Sequence, residues 1–151
     1  MARGDVTIFD EWLLYWANGG HDLDGDTINL GLINNTSAPT AGDALPHWGG
    51  TGTTNHAANE VSTAGGYTGP VDVAGATSEA AGTVTFDCTS DPTFSQNASG
   101  ATDVFWAIIY DNTDTNKRAI GFIDMGGPVS IAAGDVTITF DSAGLFTMAV
   151  V

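Results

Sequence analysis

Residues 110–150, YDNTDTNKRAIGFIDMGGPVSIAAGDVTITFDSAGLFTMAV, alternate apolar and polar side chains between turn signals and carry almost nothing that does chemistry. Val136, Ile138 and Phe140 fall on one face of an extended strand and Thr137 and Thr139 on the other, because side chains in a strand alternate with period two. Asp111-Asn112-Thr113-Asp114, Gly126-Gly127-Pro128, Ala133-Gly134-Asp135 and Asp141-Ser142-Ala143-Gly144 supply residues that tolerate tight turns. Together they predict an antiparallel meander with strands at 104–110, 119–125, 136–140 and 145–150.

Working outward, VFWAIIY at 104–110 is apolar on both faces, which predicts a central strand covered on both sides or part of a subunit interface. Further strands are expected at 27–33, 71–74 and 83–88, the first placing Ile28, Leu30 and Leu32 on one face. A short helix is expected near the start, where Phe9, Trp12, Leu13 and Trp16 recur at three- and four-residue spacing, Asp10 stands as a candidate cap, and Asn18-Gly19-Gly20 supplies a stop. Two tryptophans on so short a helix must dock on the domain's own sheet or on a neighbouring subunit. Residues 37–69 are rich in Gly, Thr, Ala, Asn and Pro around a short segment at 60–62, and read as long loops, an extended arm or a surface excursion reaching neighbouring chains. The expected architecture is all-β: an antiparallel β-sandwich or jelly-roll-like single domain with an N-terminal arm and helix over 1–20, the loop region over 37–69 and the meander over 103–151.

The chain has 151 residues, enough for one domain that buries roughly 68–70% of its unfolded surface without staples. Its single cysteine, Cys88, reads as a small buried hydrophobe within FDCTS and leaves the redox compartment open. Charge is the strongest compositional signal: 18 acidic residues stand against Arg3, Lys117 and Arg118, a formal net charge of -15. Such a surface repels a phosphate backbone, so nucleic acid is not an expected partner, while it favours solubility and tolerates salt. No segment has the unbroken apolar length of a membrane span, and MARGDVTIFDEW lacks the apolar core and cleavage site of a signal peptide. The expectation is a soluble chain made in the cytosol, with no membrane partner.

Candidate chemical sites are few. In His21-Asp22-Leu23-Asp24-Gly25-Asp26 the carboxylates alternate as at the opening of a calcium loop, but from Asp22 the sixth position is Thr27 instead of Gly and the twelfth is Ile33 instead of Glu. It reads as a solvated acidic turn. His21, His47 and His56 show no metal-ligand spacing and read as surface or capping residues, and Gly49-Gly50-Thr51-Gly52 lacks the Lys and strand-to-helix context of a phosphate cradle. No nucleophile elbow or dinucleotide fingerprint appears, so no catalytic residue, cofactor or metal is assigned and the chain is not expected to be an enzyme. Asn34, Asn35 and Asn97 open short glycosylation patterns to which no function is attached. Trp48, in LPHWGG, is a large aromatic in a glycine-rich loop; it belongs either to the core or to a contact with a partner or glycan.

The runs GGHDLDGDTINLGLINN, NEVSTAGGYTGPVDVAG and WAIIYDNTDTNKRAIGFIDMGGPVSIAAGDVTITFDSAGLF, in that order, resemble a widespread family of small virion structural proteins of tailed bacteriophages. In that family a short helix leads to an HDL-type turn and a first strand, an NE(V/L)S segment precedes GGYT, and a Y-D-T strand end is followed by a D-x-G-x(n)-G-D-x-T-I hairpin. The matched segments run from about Phe9 to Phe146. The chain departs from the family pattern at Asn29, where the first strand is often basic, and in a longer, more glycine-rich loop over 37–59.

The resemblance implies a non-enzymatic protein of the virion, foremost a head decoration or cement protein on the capsid exterior that binds the major capsid protein. By analogy with three-fold lattice positions it implies a homotrimer. A fibre or tail component is the alternative, and a carbohydrate-binding module the third reading. Because aromatics anchor interfaces, Phe9, Trp12, Trp16, Trp48 and Tyr67 are the candidate partner contacts.

Overall fold

Period-two patterning turns into strands wherever a partner strand is within reach, and the computed structural model, which describes residues 3–149, is all-β with one short N-terminal helix. In chain order the elements are β1 (Val6–Ile8), α1 (Asp10–Ala17), β2 (Ile28–Ile33), β3 (Pro46–His47), β4 (Thr54–Asn55), a 3-10 turn (His56–Asn59), β5 (Val71–Asp72), β6 (Gly75–Ala80), β7 (Thr83–Cys88), β8 (Thr93–Phe94), β9 (Val104–Asp111), β10 (Ala119–Val129), β11 (Val136–Thr137) and β12 (Phe146–Ala149). The main sheet runs β1-β10-β9-β2-β5, antiparallel throughout, and a smaller sheet runs β12-β7-β6. Short pairs β11-β8 and β3-β4 complete the set.

β9 is the central strand expected of VFWAIIY. Ala107, Ile108, Ile109 and Tyr110 are all buried, so both faces are covered. In β2 the expected stripe of Ile28, Leu30 and Leu32 is fully buried, and so is Ile33 from the opposite face. The smaller sheet meets the main one where Gly75 lies against Ile28, at a spacing no side chain at 75 could enter. Phe86 and Cys88 of β7 join the core there; burial pushes the Cys88 thiol up, away from a reactive thiolate.

The meander is corrected beyond its first hairpin. β9 and β10 pair as expected, but β10 runs on through Gly126 and Gly127, both at positive φ, to Val129 with a slip in register. β11 turns away to pair with β8, and β12 pairs with β7, setting Phe146 opposite Phe86. Alternation marks a strand without naming its partner, and the partners here are forty or more residues away. The expected strand at 136–140 stops at Thr137, because the Ile138 and Phe140 amides go to the Pro92 carbonyl and the Asp91 carboxylate. Of the expected strand 145–150, Val150 lies outside the described residues, as do Met1 and Ala2 of the arm.

The 37–69 region is long loop as expected, but laid as a strap over the sheet and not extended as an arm. Trp48 N–H donates to the Lys117 carbonyl, Val61 N–H to the Leu32 carbonyl and Asn34 N–H to the Asn59 carbonyl. Gly50 packs so closely on the Asn116 carbonyl that a β-carbon there would sit 2.0 Å from it. A stretch poor in large apolar residues is thus tied down by its backbone, with Trp48, His56, Val61 and Tyr67 as buried anchors.

Candidate functional site

Helix α1 begins at Phe9, which caps it without a side-chain hydrogen bond; the expected cap Asp10 lies instead in the first turn with Glu11, where acids favour the helix dipole. The helix is apolar on more than one side. Phe9 and Trp12 are buried and Trp16 is half-buried, whereas Leu13 is 47% and Leu14 68% exposed. Trp12 seats the helix edge-on against Phe146 of the smaller sheet, with ring centroids 5.1 Å apart.

The outward side of α1 borders a groove of about 280 Å3 lined by Glu11, Leu14, Tyr15, Asn18, Leu45 and Arg118. Leu45 is 42% exposed and sits at φ 42°, a left-handed conformation that a leucine rarely adopts. It is held there by its N–H donating to Glu11 Oε2 at 2.6 Å and by its carbonyl accepting from Thr53 N–H. Strain of this kind persists only where the surroundings over-determine it. On the far wall the Arg118 guanidinium lies 4.1 Å from the Tyr15 ring centroid, and Tyr15 Oη donates to Asp114 Oδ1 at 3.3 Å. Leu13, Leu14 and Leu45 are the exposed large apolar side chains among the described residues.

The aromatics picked from the sequence fall elsewhere. Phe9, Trp12, Trp48 and Tyr67 are buried in the chain's own core, which corrects their assignment as partner contacts; Trp16 keeps partial exposure. Trp48 stacks flat on Tyr110, centroids 5.4 Å apart, over Gly31, whose missing side chain makes room for the indole. Tyr67 Oη donates to Glu60 Oε1 at 2.6 Å and accepts from Leu32 N–H, and its burial pushes its pKa well up. A large aromatic is the residue a core most readily claims. The signal for the exposed face was in DEWLLYWA itself, which carries more apolar side chains than one stripe of an eight-residue helix can bury.

Behind α1 lies a cluster that sequence spacing did not assemble. Wholly buried Asp111, at the end of β9, takes His21 Nδ1 on Oδ2 at 2.5 Å and the Thr113 and Asp114 amides on Oδ1. Asp26 comes within 4.8 Å of both, an arrangement that offers a cation one nitrogen and two oxygens. Burial, with Asp111 beside it, pushes the Asp26 carboxyl up. Burial pushes Asp111 up as well, but the hydrogen bonds from His21, the Asp114 amide and Asp26 outweigh it and hold its carboxyl below the usual range. Two of the carboxylates serve the turn, Asp22 Oδ1 accepting from Gly25 N–H and Asp26 Oδ2 from Asp22 N–H, while Asp24 Oδ1 ties it to β6 by accepting from Thr77 N–H. Calcium wants six to eight oxygens. The cluster is better described as a buried bond between the 21–26 turn and the 111–118 turn.

The surface or capping reading of the histidines is corrected, since all three are buried: His21 on Asp111, and His47 and His56 on the inner side of the strap, with His56 stacked on Phe9 and its Nε2 3.6 Å from Asp43 Oδ2. Burial lowers the pKa of His47 and His56. A histidine kept neutral in the fold but free to charge at about 6.5 when unfolded makes the unfolded state bind more protons below that pH. Stability contributed by these residues is therefore complete above about pH 6.5 and falls as pH drops below it. Thermal unfolding between pH 8 and pH 5 should show this slope, and His56→Phe should flatten it; an unchanged slope in that variant assigns the effect elsewhere. Compared with known proteins, the chain matches no protein-family model, no curated protein and no solved structure.

Proposed function

We propose that this chain is a non-enzymatic structural component of a tailed-phage virion, foremost a decoration (cement) protein that binds the major capsid protein on the outside of the head. The observation that carries this reading is the exposed pair Leu14 and Leu45 lining the groove beside α1, with Leu13 exposed on the same helix. Large apolar side chains exposed beside one groove of a strongly acidic domain suit a contact with another macromolecule. The ordered resemblance of segments to phage structural proteins supplies the biological setting, and a -15 charge suits a protein exposed on a particle in salt solution. Many copies on a repeated lattice gain avidity from neighbouring contacts, so each contact can be weak.

The second reading, a fibre or tail component, uses the same exposed face. The carbohydrate-binding reading loses its aromatic platform, because Trp48 is 5% exposed and stacked on Tyr110. Co-sedimentation of the purified protein with empty, undecorated heads, followed by negative-stain imaging of the pellet, tests the proposal. Saturable binding to the head lattice is the expected result. Failure to bind heads, with the protein located on tails, would replace decoration by the tail reading; binding to neither rejects both.

A further inference from the structure

We propose that the cleft between β1 and the 137–145 segment takes an extended, basic segment of another protein, which adds a strand to the edge of the main sheet. This goes beyond the decoration reading and concerns a different face from the groove beside α1.

Three observations converge on it. The first is backbone left open along two edges. β1 ends the main sheet. Phe9 N–H donates to the Ile120 carbonyl and Asp124 N–H to the Asp5 carbonyl; alternate residues of an antiparallel strand face the same neighbour, so Val6 and Ile8 turn their N–H and C=O groups away from β10. The 136–140 stretch repeats the pattern. The Ile138 and Phe140 amides go to the Pro92 carbonyl and the Asp91 carboxylate, so the N–H and C=O groups of Thr137 and Thr139 point the other way. Among the described residues neither set has a backbone partner. Such an edge is a template for a further strand, and Val6-Thr7-Ile8 carries neither the charge nor the proline with which natural proteins blunt one.

The second is space. A cleft of about 350 Å3 is lined by Val6 of the one edge and by residues 137–141 of the other, with Val6, Ile123, Met125, Ile138, Phe140 and Leu145 as its apolar side chains. In strand addition the main-chain hydrogen bonds supply affinity and pockets for alternate side chains supply specificity. An apolar side chain of the added strand is what this cleft takes.

The third is charge. Asp124 and Asp141 line the cleft, with Arg3 as the one cation there. Each carboxylate uses Oδ1 to accept a local amide, that of Gly126 or Ala143, and its Oδ2 has no partner among the described residues. On a chain of net charge -15 this favours a segment whose polar positions are Lys or Arg and repels an acidic one.

Titration of the isotope-labelled full chain with three synthetic peptides, followed by NMR, decides the matter. The probes are acetyl-Thr-Lys-Val-Lys-Val-Lys-Thr-amide, the same peptide with Glu for each Lys, and the basic peptide with Pro for its central Lys. The basic peptide should bind saturably, shift the Val6, Ile8, Thr137 and Thr139 amides and slow their hydrogen exchange, and bind more weakly as salt rises. The acidic peptide should bind about 10-fold more weakly or worse, and so should the proline peptide, which lacks a donor for the ladder. Val6→Pro removes an outward N–H and leaves the amides bonded to β10, so this variant should fold and lose about 10-fold in affinity. Thr139→Pro does the same on the opposite edge and serves if Val6→Pro does not fold. No binding of the basic peptide at millimolar concentration overturns the inference. Equal binding of the acidic peptide, shifts confined to the groove beside α1, or folded variants that bind like the wild type overturn it as well. Heads take no part in this experiment, so a chain that binds the peptide but no particle would keep the present inference and lose the decoration reading.

Discussion

Trp48→Ala should lower the free energy of unfolding by about 3–5 kcal/mol, the cost of emptying a large aromatic site in a core. The indole is almost entirely covered, lies parallel to the Tyr110 ring and occupies the space that Gly31 leaves open in the middle of β2. Alanine would uncover the central strands at that point and take away the strap's side-chain anchor, leaving it the backbone bond from N–H of residue 48 to the Lys117 carbonyl. In a domain of this size such a loss corresponds to a drop of roughly 6–20 °C in Tm. Trp48→Phe, which keeps an aromatic on Tyr110, should lose less than half as much. Equilibrium denaturation of both variants is the check, and a loss below about 1 kcal/mol in Trp48→Ala would mean that the strap does not close over the sheet in solution.

Asp111→Ala should cost a comparable amount, about 3–5 kcal/mol, by removing one partner of a buried charged network. The carboxylate accepts the Thr113 and Asp114 amides on one oxygen and His21 on the other, so its loss leaves buried donors without acceptors and unties the turn after α1 from the turn after β9. Asp111→Asn should cost less, because an amide oxygen can still take the two backbone donors. The pH dependence follows from the carboxyl's lowered pKa. A group held below its unfolded value contributes its full stability above that value, near 3.9, and loses it as pH falls through the folded pKa. The gap between wild type and Asp111→Ala should therefore be full at pH 7 and narrow below about pH 4. Denaturant titrations at several pH values measure it, and a gap independent of pH would show that the network contributes through packing alone.

Both predictions concern residues whose importance lies in non-local partners. Asp111 belongs to a turn signal when the chain is scanned, and nothing in YDNTD says that His21, ninety positions earlier, will meet it. His21 in turn belongs to a run that imitates the start of a calcium loop and breaks at Thr27 and Ile33. Its carboxylates are largely occupied by the amides of their own turn, a local use that turn chemistry explains well. Trp48 left two readings open because its flanking glycines and threonines contain no core of their own. The core it joins is built by β2 and β9, at Gly31 and Tyr110.

The exposed face was legible only in part. DEWLLYWA announces a helix and a surplus of apolar side chains, but which leucines remain outside depends on where Trp12 docks against Phe146 of β12. The aromatics expected at an interface are the ones folding buries first, since they remove the most apolar area from water. Leucines at 13, 14 and 45 are left on the outside, and the last of these comes from a loop 28 residues beyond the end of the helix at Ala17.

By itself the sequence determined the elements: the all-β class, the central strand at 104–110, the helix after Phe9 and the acidic exterior all follow from period, propensity and charge, which act over a few neighbouring residues. Only the tertiary structure decided the pairing of β11 with β8 and of β12 with β7, the closing of the 37–69 strap, the His21-Asp111 bond and the identity of the uncovered face. Each of these sets the chain against a segment distant in sequence, and such contacts are chosen by competition among all the surfaces available for burial, which no local pattern records.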